Sequence, residues 1–250
     1  MKIIPSEERK QIRMLKPNEG KKLEIIVEGE KYCRYPIKTR VISEKDNISE
    51  VVTEYSGSYL QNNDMVVISE RVVAITQGRA IPISKIHPSW IAKLLVKFVY
   101  KPSWGIGIGS PWTMQAAIDE AGAVRIITAG ALGTLGKLVG IRGLFYRLVG
   151  NGINAIDGPT SYTLPPGNKC ATLGPKDPEN VARKIQEQIA NSLKLKVSVA
   201  IIDANDIGAR IEGATEGVNR DLICKMFRDN PLGQAHEQTP MAIVRKIADQ

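Results

Sequence analysis

Between residues 177 and 208 the chain spells out a helix, then a short apolar strand, then an acidic turn, and this succession constrains the fold more than any other stretch. Asp177-Pro178-Glu179 opens the helix, with an aspartate to cap it and a proline in the first turn, where a missing N–H costs nothing. Apolar positions recur at Val181, Ile185 and Ile189, so the spacing predicts a helix to about Leu193. Val197-Ser198-Val199-Ala200-Ile201-Ile202 then reads as a buried strand ending in Asp203. A loop at the carboxyl end of such a strand is where open α/β sheets place ligands.

The turn itself, Asp203-Ala204-Asn205-Asp206-Ile207-Gly208, brings two carboxylates and an amide oxygen within four residues. A hard divalent cation wants several oxygen ligands converging from a sharp bend. Asx residues also populate ordinary turns, because they bond to their own backbone, and this second reading stays open. A second acidic loop, Asn151-Gly152-Ile153-Asn154-Ala155-Ile156-Asp157-Gly158-Pro159, offers another carboxylate, or a plain surface turn.

Elsewhere the signals are shorter. Residues 1–22 form a polar stretch expected to be a flexible leader, and residues 23–250 the folded part, as one domain or as two intertwined subdomains of a mixed α/β or α+β class. Strand signals occur at Leu23-Glu24-Ile25-Ile26-Val27, at residues 35–41 and at Met65-Val66-Val67-Ile68, with a helical register over residues 49–59. The β-branched stretch Val72-Val73-Ala74-Ile75-Thr76 favours extended backbone and leads to a Gly78-Arg79 turn. A helix started by Pro88 runs to about Tyr100. Trp104-Gly105-Ile106-Gly107-Ile108-Gly109-Ser110 is either a phosphate-cradling glycine loop or a closely packed one, and its GxGxG spacing is not the dinucleotide GxGxxG. Residues 114–122 and 132–149 are expected to be partly helical, with Gly133, Gly136, Gly140 and Gly143 spaced for close helix packing. Residues 229–240 have the polar density of a binding loop, or of a solvated turn before a strand at 241–244.

Charge narrows the partners. The formal net charge of +8 attracts nucleic acid, nucleotides or other phosphorylated small molecules. The cations are dispersed and aromatic residues make up only 5% of the chain, which argues against nucleic acid. The most apolar run, residues 131–149, is broken by Lys137, Arg142 and Arg147, short of the roughly 18 uncharged apolar residues a span requires. No membrane partner is expected, and with no signal-peptide core after Met1 the chain reads as cytoplasmic. Cys33, Cys170 and Cys224 are too few and too scattered for a soft-metal site, so any metal would be magnesium or manganese held by oxygen.

Five features taken in order resemble a known family: Asp64-x-Val-Val-Ile-Ser before a Val-Val…Gly-Arg turn, an Asn-Ala-x-Asp loop, Leu173-Gly174-Pro175-Lys176-Asp177-Pro178-Glu179, and an apolar strand ending in an Asp turn followed by Gly. Over about residues 36–246 they are similar to the γ-glutamyl ligases of coenzyme F420 biosynthesis. The resemblance implies a homodimeric enzyme that uses GTP (or ATP) and a divalent cation to join glutamate through an amide to a phosphorylated deazaflavin precursor. Carried over by position, it implies metal ligands at Asp157, Asn205 and Asp206, with Asp203 as an alternative and Asp221 as a later ligand. It implies nucleotide contacts at Ser69, Glu70, Arg71, Arg79 and Thr160. It makes Asp206, Arg71 and Arg210 the groups that would offset charge during transfer.

Departures from the family pattern keep three rivals open. Ile75 stands where the family has a lysine near phosphate, Asn205-Asp206-Ile207-Gly208-Ala209-Arg210 replaces Asp-Thr-Phe-Gly-Arg, and residues 104–150 do not follow the family. A ligase for a different acceptor or amino acid, a nucleotide-binding module without turnover, and an RNA-binding protein are the alternatives.

Overall fold

The computed structural model describes residues 12, 14–99, 107–141, 143–150, 152–160, 163–205, 208–233 and 235–247. Its elements run β1 (Glu24–Val27), β2 (Glu30–Ile37), α1 (Ile48–Ser56), β3 (Met65–Ser69), α2 (Glu70–Thr76), β4 (Ala80–Pro82), α3 (Trp90–Leu95), α4 (Pro111–Ala121), α5 (Ala123–Leu138) and α6 (Leu144–Val149). After these come β5 (Cys170–Thr172), α7 (Pro178–Leu193), β6 (Ser198–Asn205), β7 (Gly208–Ala214), α8 (Arg220–Met226) and β8 (Met241–Ile247). The class is mixed α+β. The chain divides into two compact units, one made from Met1–Gln77 with Asp177–Gln250, the other from Gly78–Lys176.

The first unit is built on a mixed sheet of order β1-β2-β8-β3-β6-β7, in which β3 and β6 are the parallel pair and the other pairings are antiparallel. Side chains alternate across it, as strand geometry requires. Val66, Ile68, Val199, Ile201 and Ile243 face one core with Val51 and Val52 of α1 and Ala182, Ile185 and Ile189 of α7. Val67, Ala200, Ile202, Ala242 and Val244 face the other, with Ile223 and Met226 of α8 and Phe227. Covering on both faces explains why β3 and β6 are apolar runs without a polar face. Ile12 is buried in the first of these cores, and the Asn18 amide donates to Pro231 O (2.9 Å) and Thr239 Oγ1 (2.7 Å), which ties residues of the leader to this unit.

Three local expectations are corrected. The β-branched stretch 72–76 is helical: α2 starts directly after β3, and Val72, Val73 and Ala74 are buried there, so tertiary packing overrides their strand preference. Asp177 precedes α7 as expected, yet it takes the left-handed conformation (φ 46°, ψ 55°) and its side chain makes no capping bond. Residues 203–208 are not a loop throughout, because β6 continues through Asp203 to Asn205 and β7 begins at Gly208.

The second unit is mainly helical, with β4 and β5 paired antiparallel. Ser110 and Thr113 form a capping box that starts α4. Gly133 and Gly136 on α5 lie against α6, where an added Cβ would come within 3.0 Å of the Phe145 Cβ and 2.7 Å of a Leu144 methyl. The expected close packing through these glycines is therefore present, whereas Gly140 and Gly143, at φ 81° and 73°, make the turn between the helices. Arg79 is buried, its Nε donating to Gly174 O and its Nη2 to Glu120 Oε1 (2.9 Å).

Candidate functional site

Two strand ends and a bulge assemble a carboxylate cluster in the first unit. Ser69, the last residue of β3, is in register with Ile202 on the parallel neighbour β6. The residues that follow, Glu70 and Asp203, therefore come level, Glu70 opening α2 and Asp203 still in β6. Across the hairpin Asp203 is opposite Arg210. The β6–β7 register then slips, with Ile202 paired to Ile211 and Ile201 to Gly213, so Glu212 has no opposite residue. Bulges re-aim side chains, and this one lies beside the acids. One oxygen each of Glu70, Asp203 and Glu212 lies within 4.8 Å of the others.

Gly213 fixes how α7 meets this strand. A Cβ there would sit 2.4 Å from the Pro178 carbonyl carbon and 2.6 Å from the Glu179 nitrogen, so only glycine lets the start of α7 approach so closely. The hairpin end is open: a pocket of about 270 Å³ is lined by Asp203, Asn205, Gly208, Ala209 and Arg210.

Electrostatics in the cluster follow from its crowding. Burial, with the charges of Asp203 and Glu212 behind it, holds the Glu70 carboxyl well above the ordinary glutamate range, although Arg210 and Arg71 pull the other way. Glu70 Oε2 is buried and has no hydrogen-bond partner among the described residues. Burial also raises the Glu212 carboxyl, an effect Arg210 opposes as its ion-pair partner. Three carboxylates with two arginines nearby leave the centre short of positive charge. Crowded carboxylates favour the protonated form of a buried member, and a bound cation would relieve that repulsion.

The residues expected from sequence are distributed as follows. Asp203, Glu70, Arg71 and Arg210 belong to this neighbourhood. Asn205 is exposed near the hairpin end, its Oδ1 accepting from Gly208 N (3.2 Å) and its Nδ2 donating to Asp203 Oδ1 (3.4 Å). Asp206, the favoured ligand, lies outside the described residues, as do Trp104, Gly105 and Ile106 of the glycine loop. Ser69 is buried and its backbone N–H donates to Pro240 O (2.8 Å). Asp221 is exposed in the first turn of α8 and is not one of the three clustered acids. Asp157, Thr160 and Arg79 belong to the second unit. There Asp157 exchanges backbone hydrogen bonds with Thr172 (both 2.9 Å), and its Oδ1 accepts from Gly158 N (2.9 Å). Thr160 Oγ1 is 2.6 Å from Thr163 Oγ1.

Glu212 was not among the expected residues, and Glu70 was expected at the nucleotide rather than beside Asp203. The signal for Glu212 was faint but present: reading 203–213 as a hairpin puts Arg210 opposite Asp203, and Glu212 two residues further on. The bulge that places it has no sequence mark beyond Gly213.

A sequence model of the family described as F420-0:Gamma-glutamyl ligase matches residues 36–218, a span that contains Glu70, Asp203 and Glu212. An uncharacterised protein of Methanocaldococcus jannaschii is 28% identical over 178 residues, covering 68% of this chain and 57% of its own length. The chain thus spans less than two thirds of that curated relative.

Proposed function

The chain belongs to the F420-0:gamma-glutamyl ligase family, and from that premise we propose that it is an amide-forming ligase whose reaction centre is the Glu70–Asp203–Glu212 cluster. The observation that carries this reading is a buried Glu70 carboxyl with one oxygen close to oxygens of Asp203 and Glu212 and with an Oε2 that has no hydrogen-bond partner among the described residues. An all-oxygen donor set of this kind fits magnesium or manganese. Glu70, Asp203 and Glu212 would hold the ion. When bound, it would offset phosphate charge and orient a nucleotide.

The chain's own residues supply the rest. A carboxylate is a poor electrophile, so amide formation requires its activation. In the proposed sequence a phosphoryl group passes from GTP or ATP to a carboxylate oxygen of the acceptor, giving an acyl phosphate and leaving the nucleoside diphosphate. The amino group of glutamate, or of another amino acid, then forms the C–N bond, losing a proton as inorganic phosphate departs. Arg71, in the first turn of α2, and Arg210, opposite Asp203, carry fixed positive charge beside the cluster, where negative charge accumulates during such a transfer. The open hairpin end lined by Asp203, Asn205 and Arg210 gives phosphate groups access from solvent. The net charge of +8 favours the encounter with an anionic nucleotide and a phosphorylated acceptor.

Crystals soaked with manganese and a non-hydrolysable GTP analogue test the assignment. An anomalous peak among Glu70, Asp203 and Glu212 with phosphate oxygens beside it is expected. A metal bound elsewhere in the chain would remove the basis of this reading.

A further inference from the structure

We propose that the outward face of α5 in the second unit docks on an anionic lipid bilayer, an interaction independent of the ligase reading. Helix α5 is apolar on two opposite sides. Ile126, Ala129, Gly133 and Gly136 make its buried side. At 3.6 residues per turn, Val124, Ile127, Ala131, Leu135 and Leu138 form a second stripe on the opposite side. That stripe is exposed, with Val124 at 76%, Leu135 at 58% and Leu138 at 80% of full accessibility, and Val139 and Ile141 continue the exposed apolar surface beyond the helix. An apolar surface of this extent on a folded unit marks an interaction site.

Charge selects the occupant. Between Glu120 and Asp157 the sequence contains Arg125, Lys137, Arg142 and Arg147 and no further acidic residue. By helical spacing Arg125 and Lys137 border the buried side of the helix, one on each flank, with Arg125 Nε donating to Leu148 O (3.3 Å), and both are exposed, as is Arg147 on α6. Long cationic side chains flanking an apolar face reach phosphate headgroups while that face enters the acyl boundary. Two copies of the chain meeting through this face would instead bring uncompensated cations together.

The helix also satisfies its exposed hydroxyls internally. Thr128 Oγ1 donates to Val124 O (2.9 Å) and Thr134 Oγ1 to Gly130 O (2.9 Å), so neither needs water. The stripe from Val124 to Leu138 is about 21 Å long at 1.5 Å per residue, below the roughly 30 Å of a hydrocarbon core. Among the described residues no helix is long and apolar enough to cross a membrane. Lys137 and Arg147, two of the cations that interrupt the apolar run 131–149, are exposed groups that would hold the face against the bilayer surface.

Co-sedimentation of the full chain with phosphatidylcholine vesicles containing phosphatidylglycerol, against vesicles of phosphatidylcholine alone, tests the proposal. The protein should pellet with the anionic vesicles and stay in solution with the neutral ones. The double variant Leu135→Ser/Leu138→Ser changes only exposed side chains and should lose vesicle binding while keeping the circular dichroism of the parent. Lys137→Gln should weaken binding about fivefold, the worth of one cation near an anionic surface. Absence of pelleting with anionic vesicles overturns the proposal, as does pelleting unchanged in the double variant. Self-association that the double variant abolishes, in a protein that ignores vesicles, would assign the face to a second copy of the chain.

Discussion

Glu70, just past the end of β3, and Asp203, near the carboxyl end of β6, stand level because Ser69 and Ile202 share a register on these parallel neighbouring strands. This places two carboxylates from residues 133 positions apart (203 minus 70) in one cluster with Glu212. The position is the one at which open sheets with parallel strands collect ligands.

If the cluster holds a cation, each acid contributes separately. Glu70→Gln and Asp203→Asn should each weaken manganese binding in a calorimetric titration by about tenfold or more, roughly 1.4 kcal/mol. Asp221→Asn should leave it unchanged, since Asp221 is exposed on α8 and is not one of the three clustered acids.

The pH dependence of stability has a definite sign. The folded Glu70 carboxyl titrates well above its ordinary value of 4.5, chiefly because of burial and then because of Asp203 and Glu212. Its contribution is therefore complete below pH 4.5 and is lost as pH rises through the higher folded value. Metal-free protein, kept so with chelator, should melt at progressively lower temperature as pH rises through that range. Added manganese should raise the melting temperature more at high pH than at low, since ionised carboxylates bind it. In Glu70→Gln the metal-free melting temperature should vary less with pH.

Remote from the cluster, Arg34 is 2% exposed and donates to Asp229 through two nitrogens, with Met226 O and Lys22 O as further acceptors. Burial alone would raise the Asp229 carboxyl, but the hydrogen bonds and charge of Arg34 outweigh it and hold it below the ordinary range. Asp229→Ala leaves the guanidinium with its backbone acceptors only and should cost about 2 kcal/mol in urea unfolding, the scale of a hydrogen bond to a charged group.

Gly213→Ala tests the packing that orients the bulged strand. The new methyl would overlap the Pro178–Glu179 peptide, so α7 or β7 must shift. A destabilisation of about 1–3 kcal/mol is expected from overpacking. Weaker manganese binding should accompany it, because Glu212 is the adjacent residue.

Much of this fold was legible because its signals are local. The apolar run at 197–202 and the periodic helix after Pro178 are read from one strand or one helix at a time, and both are present as β6 and α7. The stretch 72–76 was misread because β-branched residues favour strands in isolation, whereas here Val72, Val73 and Ala74 are buried on a helix that starts directly after β3. Asp203 could be singled out as the first acidic residue after the apolar run of β6, although the strand continues to Asn205. Its association with Glu70 depends on the β3–β6 register, and that of Glu212 on a bulge, both of which arise from pairing between segments distant in sequence or from a one-residue slip.

Manganese-dependent amide formation is the most direct test of the account. The purified chain would be incubated with manganese, GTP or ATP, glutamate and a phosphorylated deazaflavin acceptor, and nucleoside diphosphate and acceptor mass followed together. The account predicts one diphosphate released for each glutamate added to the acceptor, with both signals abolished in Asp203→Asn. Nucleotide left intact and acceptor mass unchanged, in protein shown to bind manganese, would contradict it.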